Sequence, residues 1–184
     1  MEIEPSFIEG CFVIKPKEIK DSRGSFFETF TKKKFYKITG LQTDFVQDNQ
    51  SISKKGVLRG LHFQKGTHAQ AKLVRVISGE VLDVVVDLRS NSETYGKHFS
   101  IVLNDKNNYQ LFIPRGFAHG FITLSERSVF SYKCDNYYYK SAESGIIYND
   151  PKLNIDWRLD SSEIQLSEKD RELPFFKNID VQHV

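Results

Sequence analysis

Turn-forming residues interrupt this sequence at short intervals, and their spacing restricts the possible folds more than any other feature. Glycine marks several of these points, as at Gly24, Gly56, Gly79 and Gly116. The runs between them are short and rich in β-branched and aromatic residues, as in CFVIK, SFFETF, KLVRVI, EVLDVVVDL and GFITL. Such residues favour pleated strands. Short strands separated by frequent turns predict an all-β sandwich or barrel.

Two adjoining apolar runs, KLVRVI and EVLDVVVDL, are separated only by Ser78 and Gly79. Glycine readily adopts the positive φ of a tight turn, so the pair is predicted to form a hairpin. In the second run, Asp83 and Asp87 share one strand face with valines, whereas the alternate positions from Leu82 onward are all apolar. We expect the all-apolar face to meet the core.

Helical signals are scarce. TKKKFYKIT, after Phe30, is compatible with one short helix. LSEKDREL is a stronger candidate, because Ser167 followed by Asp170 resembles a capping box and Pro174 ends the run. No repeat or interdomain linker is apparent. We therefore expect one all-β domain spanning residues 1–184, with a short helical C-terminal segment.

Composition and charge disfavour several functional classes. The net charge is only +2, and basic residues are mixed with acidic ones, which argues against nucleic-acid binding. No apolar run approaches the roughly 20 residues that cross a bilayer, and MEIEPSFIEG is acidic where a secretory signal would be basic. Cys11 and Cys134 lie far apart in unlike surroundings. We expect a cytoplasmic protein that binds neither nucleic acid nor membranes.

Ionisable side chains are concentrated in VLRGLHFQKGTHAQAKLVRV, which otherwise has the pattern of buried strands. A charge buried without a partner costs free energy or shifts its pKa until it is neutral, so such a cluster commonly lines a cavity. We expect Arg59, His62 and Lys72 to lie near one another there. A buried histidine is also often a hydrogen-bonded core residue, and that alternative stays open for His62.

A metal site is one use for such a cavity. Metal-binding β-barrels usually supply two histidines one residue apart, a nearby glutamate and a later histidine. This sequence has no His-x-His: His62 and His68 are six positions apart, and His98, His119 and His183 are scattered. The spacing disfavours a metal without excluding one.

Acid–base chemistry and anion binding are the other uses. His62 would be the base, and a hydroxyl from the tyrosines at 132 and 137–139 would be the acid, although packing also explains tyrosines. Arg59 lies mid-strand and Arg23 in the turn DSRG, and guanidinium groups suit phosphate oxygens. An exposed turn charge explains Arg23 equally well. Composition and spacing predict a β-barrel with a polar, cationic pocket and nothing more specific.

Several motifs together resemble one family. DSRGSFFETF, FVQDNQS, VLRGLHFQ, QAKLVRVISGEVLDVVVDLR, FIPRGFAHGF, YKCDNYY and LSEKD occur in the order typical of the dTDP-4-dehydrorhamnose 3,5-epimerases. The similarity extends from about Phe7 to about Pro174, and the pairing of LRGLHFQ with PRGFAHGF is specific. The resemblance implies a double-stranded β-helix of the cupin superfamily, a homodimer, and catalysis without a metal or organic cofactor.

The family inverts C3 and C5 of dTDP-4-keto-6-deoxy-D-glucose in dTDP-L-rhamnose biosynthesis. Both carbons flank the ketone, so loss of either hydrogen gives an enolate that can be reprotonated on the other face. The resemblance implies that His62 is the base and Asp170 its paired carboxylate. It implies that Tyr132 is the proton donor and that Lys72 stabilises the enolate oxygen.

The resemblance also implies nucleotide and sugar contacts from Arg23, Glu28, Gln47, Asn49, Arg59, His119, Glu143 and Lys169. Arg59 is expected to meet the diphosphate. Arg23, Glu28 and the Gln47 segment are expected to reach the neighbouring subunit's site, so that the active site is shared. Three alternatives stay open: an epimerase that inverts only C3 or C5 of another dTDP-4-keto-6-deoxy sugar, a metal-dependent cupin oxygenase, and a non-catalytic nucleotide-sugar-binding protein.

Overall fold

The computed structural model describes residues 1–180, which leaves His183 outside the described residues. Those 180 residues contain thirteen β-strands and two α-helices. The strands are β1 Glu2–Pro5, β2 Phe12–Lys15, β3 Ile19–Asp21, β4 Gly24–Phe26, β5 Gln47–Lys54, β6 Leu58–Gln64, β7 Lys72–Ser78, β8 Glu80–Asp87, β9 His98–Asn104, β10 Gln110–Ile113, β11 Phe117–Thr123, β12 Arg127–Cys134 and β13 Glu143–Gly145. The helices are α1 Lys32–Thr39 and α2 Glu168–Arg171.

Two antiparallel sheets face each other. One has six strands in the order β1-β2-β10-β7-β12-β5, and the other has five in the order β13-β6-β11-β8-β9. Strands β3 and β4 form a separate two-stranded sheet. Apolar side chains from both large sheets, including Val74, Val85 and Phe130, pack in one cluster between them. This cupin-type jelly roll confirms the predicted all-β fold class.

Each large sheet is also covered on its outer face. Behind the five-stranded sheet, the C-terminal segment contributes Leu153, Trp157 and Phe176 to a second apolar cluster. Behind the six-stranded sheet, Phe35 of α1 packs against Phe112 of β10, with ring centroids 5.4 Å apart. Burial on both sides fixes the central strands of the sheets, whereas the outward side chains of the edge strand β5 are exposed.

The connection between β7 and β8 differs from the prediction. The two strands belong to different sheets, so the predicted hairpin is instead a corner between sheets. Gly79 has φ +83°, and a Cβ there would lie 2.1 Å from the carbonyl oxygen of Arg127. Its N–H donates to Oδ2 of Asp105 at 2.7 Å. These contacts come from distant parts of the chain, so the local sequence alone could not distinguish a corner from a hairpin.

Strand β8 is buried on both faces. Its all-apolar face, including Leu82 and Val84, packs in the cluster behind the five-stranded sheet. The other face places Val81 and Val85 between the sheets, together with the fully buried Asp83. The prediction that the all-apolar face meets a core is therefore confirmed, and the opposite face meets a second apolar cluster between the sheets.

Both predicted helices form. α1 ends at Thr39 and has Gly40 as its C-cap. α2 begins after Ser167, whose Oγ accepts a hydrogen bond from the Asp170 N–H at 3.1 Å. Ser167 thus caps α2, as predicted, and Asp170 is buried. Neither α-helix described for residues 1–180 is long and apolar enough to cross a membrane.

A β-bulge in β6 decides which of its side chains share a face. In the antiparallel pair of β11 and β6, His119 lies opposite His62. Phe121, two residues later in β11, lies opposite Arg59, which is three residues earlier in β6. The extra residue in β6 breaks the alternation that would otherwise point Arg59 and His62 to opposite faces. Gly60 makes this possible, since it has φ +138° and a Cβ there would lie 2.5 Å from Cα of Gly120.

We expect Gly60→Ala to lower the free energy of unfolding by about 2 kcal/mol, because the methyl group must displace β11 and alanine is strained at this φ. Chemical denaturation measures the loss. Gly40→Ala is the matched control, since Gly40 also has positive φ but nothing within 4 Å of an added Cβ. An equal loss in both variants would contradict close packing as the cause.

Candidate active site

A cavity of about 530 Å³ opens between the two sheets. A smaller lobe of about 140 Å³ adjoins it, and His62, Lys72 and Tyr132 line both. The larger lobe alone is within the size range of small-molecule sites. The three predicted catalytic side chains that line both lobes therefore lie where a ligand would extend from one lobe to the other.

His62 and Asp170 form a hydrogen-bonded pair at this junction, with Nε2 and Oδ1 2.6 Å apart. The His62 side chain is 27% exposed, whereas that of Asp170 is only 6% exposed. An ionised carboxylate can only accept hydrogen bonds, so Nε2 of a neutral His62 carries the proton and Nδ1 keeps its lone pair. Nδ1 has no hydrogen-bond partner within residues 1–180. The pair is suited to proton abstraction.

The pKa of Asp170 lies below its ordinary value. Burial raises this pKa, but hydrogen bonds from the side chains of His62 and Ser167 and from the backbone N–H of Gly60 together outweigh burial. The carboxylate is thus held ionised against the imidazole. Because Gly60 is also the bulge residue of β6, the same backbone feature positions His62 and contacts its partner.

Tyr132 and Lys72 lie on the opposite sheet from His62. Their strands, β12 and β7, are neighbours, and Nζ of Lys72 is 6.0 Å from the Tyr132 ring centroid. Burial raises the pKa of Tyr132, so its hydroxyl is protonated at neutral pH. Burial also lowers the pKa of Lys72, an effect that Cys134, Asp83 and Glu143 oppose. An acid and a cation thus face a base across the cavity.

A second histidine–carboxylate pair lies deeper in the protein. Nε2 of His119 is 3.1 and 3.0 Å from the two carboxylate oxygens of Asp83, and both residues are buried. Burial lowers the pKa of His119, which Asp83 partly offsets. Sequence reasoning did not assign Asp83 to the site. Its position as a charged residue within the valine-rich run EVLDVVVDL was the available signal.

The smaller lobe contains a carboxylate network. Oη of Tyr138 donates to Oε2 of Glu143 at 2.7 Å, and Lys169 forms an ion pair with the same oxygen. Burial raises the pKa of Glu143, but its contacts with Lys169 and Tyr138 outweigh burial and lower the pKa overall. The tyrosine cluster was visible in the sequence, but this contact, which distinguishes Tyr138 from its neighbours, depends on the fold.

Gln47 and Asn49 line the smaller lobe of this chain's own cavity. Nε2 of Gln47 donates to Oδ1 of Asn49 at 3.1 Å, and Oε1 of Gln47 accepts the Tyr138 N–H at 3.0 Å. The Gln47 segment was expected to reach a neighbouring subunit's site. Within this chain β5 pairs with β12, which carries Tyr132, and a contact of the Gln47 segment with a second subunit stays a prediction.

Arg23 and Glu28 line neither lobe. The Arg23 side chain is 87% exposed and pairs with Asp21 at 2.6 Å, and Glu28 pairs with Lys34 at 2.8 Å. The prediction for these two concerns a second subunit, and it stays a prediction. The other ten predicted site residues line one lobe or both: His62, Tyr132, Asp170, Lys72, Gln47, Asn49, Arg59, His119, Glu143 and Lys169.

The histidines of the cavity are each paired with one carboxylate rather than with one another. No group of three or more histidine, cysteine, aspartate or glutamate side chains suited to a shared metal ion occurs in the part of the chain that the structure describes.

The family model for dTDP-4-dehydrorhamnose 3,5-epimerase matches residues 5–178. This chain belongs to that family. The dTDP-4-dehydrorhamnose 3,5-epimerase of Methanothermobacter thermautotrophicus is 49% identical over 165 residues, which cover 89% of this chain and 88% of that protein. The match confirms the resemblance carried by LRGLHFQ and PRGFAHGF.

Solved structures of epimerases superpose closely on this member of the family. The dTDP-4-dehydrorhamnose 3,5-epimerase of Elizabethkingia anophelis has a TM-score of 0.93 and 52% identity, covering 96% of this chain and 97% of that chain. A dTDP-6-deoxy-D-glucose-3,5-epimerase of Legionella pneumophila, in complex with dTDP-4-keto-L-rhamnose, has a TM-score of 0.94 and 45% identity, covering 98% and 95% of the two chains.

We expect Asp170→Asn to lower the free energy of unfolding by about 2 kcal/mol at neutral pH, because a charged hydrogen-bond acceptor is lost. The folded-state pKa of Asp170 is depressed, so its stabilisation is complete above the unfolded-state pKa of roughly 4 and is lost as pH falls through the folded-state pKa. The difference between wild type and variant should therefore narrow in acid.

Urea unfolding at neutral and acidic pH measures this difference. Asp156→Asn, at an exposed aspartate outside both lobes, is the control. A difference for Asp170→Asn that stays constant as pH falls would contradict the assignment of the stabilisation to the ionised carboxylate.

Proposed function

We propose that this protein is a dTDP-4-dehydrorhamnose 3,5-epimerase that inverts C3 and C5 of dTDP-4-keto-6-deoxy-D-glucose in dTDP-L-rhamnose biosynthesis. The observation that carries the proposal is the placement of the His62–Asp170 pair across the cavity from Tyr132 and Lys72. Inversion at carbon requires a base and an acid on opposite faces of the substrate. Family membership supports the choice of substrate.

Each inversion begins when Nδ1 of His62 removes the proton from C3 or C5. The electrons of the C–H bond form a carbon–carbon double bond, and those of the ketone move to its oxygen, giving an enolate. The negative charge of Asp170, 2.6 Å from Nε2, stabilises the imidazolium that results. The hydrogen bond also orients the ring, so that the base does not have to be positioned at the moment of reaction.

Lys72 lines both lobes, and its ammonium group is suited to stabilise the enolate oxygen, because a cation in a water-poor site interacts strongly with developing negative charge. Tyr132 then donates its hydroxyl proton to the carbon on the face opposite His62. The raised pKa of Tyr132 keeps the hydroxyl protonated between turnovers. The tyrosinate and the imidazolium return to their starting states by proton exchange with solvent, so no cofactor enters the balance.

The remaining predicted residues are proposed to bind substrate. Arg59, His119 and Lys169 supply cationic or polar groups in the larger lobe. Gln47, Asn49 and Glu143 surround the smaller one.

A second subunit is proposed to complete the site with Arg23 and Glu28. The β3–β4 hairpin, which carries Arg23, leaves Ile19 59% and Phe26 70% exposed, as expected of a segment that contacts another chain. Such a homodimer would share its active sites between subunits. No partner other than the substrate and this second copy is proposed.

We also propose that residues 1–184 act as one domain and that the enzyme works in the cytoplasm. Continuous packing of residues from Ile8 to Phe176 in the apolar clusters supports a single domain. Cys11 and Cys134 are separate buried thiols, the usual state in a reducing compartment.

The wild-type protein, incubated in heavy water with dTDP-4-keto-6-deoxyglucose and a chelator, should lose the proton NMR signals of both C3 and C5. His62→Asn should slow this exchange by about 10³-fold, because the base is lost. His98→Asn, a histidine of β9 outside both lobes, is the control.

The exchange pattern separates the alternatives. Loss of one signal would identify a single-centre epimerase. Binding of dTDP without exchange would indicate a binding protein. Exchange that occurs without the chelator but not in its presence would indicate a metal-dependent protein. Undiminished exchange by His62→Asn would overturn the assignment of the base.

The variant Tyr132→Phe distinguishes the role of the proton donor from that of the base. We expect inversion to fall by about 10²-fold or more, while exchange at C3 and C5 is affected less, since His62 still forms the enolate and can return deuterium to the same face. NMR of the sugar configuration, set against the rate of deuterium incorporation, measures the two effects. Equal losses of inversion and exchange would contradict a donor role confined to the opposite face.

A further inference from the structure

Strand β5 carries polar side chains that the proposed mechanism does not use. Alternate residues of this strand face the cavity side, so Gln47 and Asn49 of the smaller lobe are followed on the same face by Ser51 and Ser53. Ser51 lines the larger lobe, as does Arg59. Two hydroxyl groups thus lie on the strand that borders the cationic part of the cavity.

Ser53 contacts Arg59 directly. Nε of Arg59 donates a hydrogen bond to Oγ of Ser53 at 3.2 Å, and Ser53 is only 4% exposed. The two terminal nitrogens of Arg59 have no partner among residues 1–180. A guanidinium held at Nε with both terminal nitrogens free presents a planar fork of donors to the cavity, which matches the oxygens of a phosphate.

The hydroxyl group of Ser51, unlike that of Ser53, is available to a ligand. Its Oγ is buried and has no hydrogen-bond partner within the described residues. A buried hydroxyl without a partner is unfavourable, and a serine side chain has three staggered positions among which Oγ can rotate. Because Ser51 lines the lobe that contains Arg59, one such rotation can turn its hydroxyl toward a ligand there.

We propose that Ser51, Ser53 and Arg59 together hold a phosphate group of the substrate, with Ser51 as a direct donor and Ser53 as a positioning residue. Ser53 fixes the plane of the Arg59 guanidinium, whose terminal nitrogens donate to two phosphate oxygens. Ser51 donates its hydroxyl proton to the same group. A phosphate oxygen is only an acceptor, and it satisfies all of these donors at once. The inference rests on the proposed function, because the phosphate is that of the dTDP-sugar.

The test is calorimetric titration with dTDP, which needs no turnover. We expect Ser51→Ala to weaken dTDP binding by about tenfold, as for a lost hydrogen bond to a charged group, and Ser51→Thr, which keeps the hydroxyl, to stay within about threefold of wild type. Ser53→Ala should weaken binding by about fivefold, because Arg59 loses its fixed orientation. Ser100→Ala, at an exposed serine of β9, should leave binding unchanged.

Two further measurements separate phosphate binding from a general effect on the fold. Thymidine, which lacks a phosphate, should bind Ser51→Ala as well as it binds wild type. In the epimerase assay, KM should rise in the Ser51 and Ser53 variants while kcat changes by less than about threefold, as expected for uniform binding energy. Unfolding midpoints show whether each variant folds. If Ser53→Ala does not fold, the comparison of Ser51→Ala with Ser51→Thr decides the outcome.

The possible failures are distinguishable. If the wild-type protein binds dTDP and Ser51→Ala binds it equally well, the role of Ser51 is wrong while the proposed function stands. Equal weakening of thymidine and dTDP would overturn the assignment to phosphate. If the wild-type protein neither binds dTDP nor exchanges the sugar hydrogens, the proposed function itself fails.

Discussion

The arrangement of the site depends on the close approach of two backbones, where Gly60 of β6 meets Gly120 of β11. No side chain fits between them, since a Cβ on Gly60 would lie 2.5 Å from Cα of Gly120. The approach accommodates a bulge, and the bulge turns Arg59 and His62 to the same face. In a regular strand one of the two would point away from the cavity. A constraint on backbone packing thus brings the guanidinium of Arg59 and the imidazole of His62 into one cavity, where the proposed function requires them.

Burial then sets the chemistry of the side chains brought together. Each histidine that lines the cavity has one carboxylate partner: Asp170 for His62 and Asp83 for His119. These pairs stabilise buried ionisable groups that would otherwise be costly. Lys72 has no ion-pair partner within residues 1–180, and burial lowers its pKa. A cation in that position gains most when negative charge develops beside it, as on an enolate oxygen.

The apolar layers explain how a barrel of short strands can hold so many polar groups in place. The cluster between the sheets, the cluster around Phe35 and the cluster around Trp157 bury both faces of the central strands β7, β8 and β11. Rigid strands keep side chains within the narrow geometric limits that proton transfer requires. The C-terminal segment has a second use, because α2, capped by Ser167, carries Asp170 to His62.

The sequence by itself determined the strand pattern, both helices and, through LRGLHFQ and PRGFAHGF, the family, because period-two alternation and capping residues are local signals. Tertiary structure decided what depends on distant contacts. It made the turn at Gly79 a corner between sheets rather than a hairpin, paired Asp83 with His119, and placed Gln47 in this chain's own cavity. A local sequence contains no record of which strand will pack beside it, and that packing determines the direction of a turn and the partner of a buried charge.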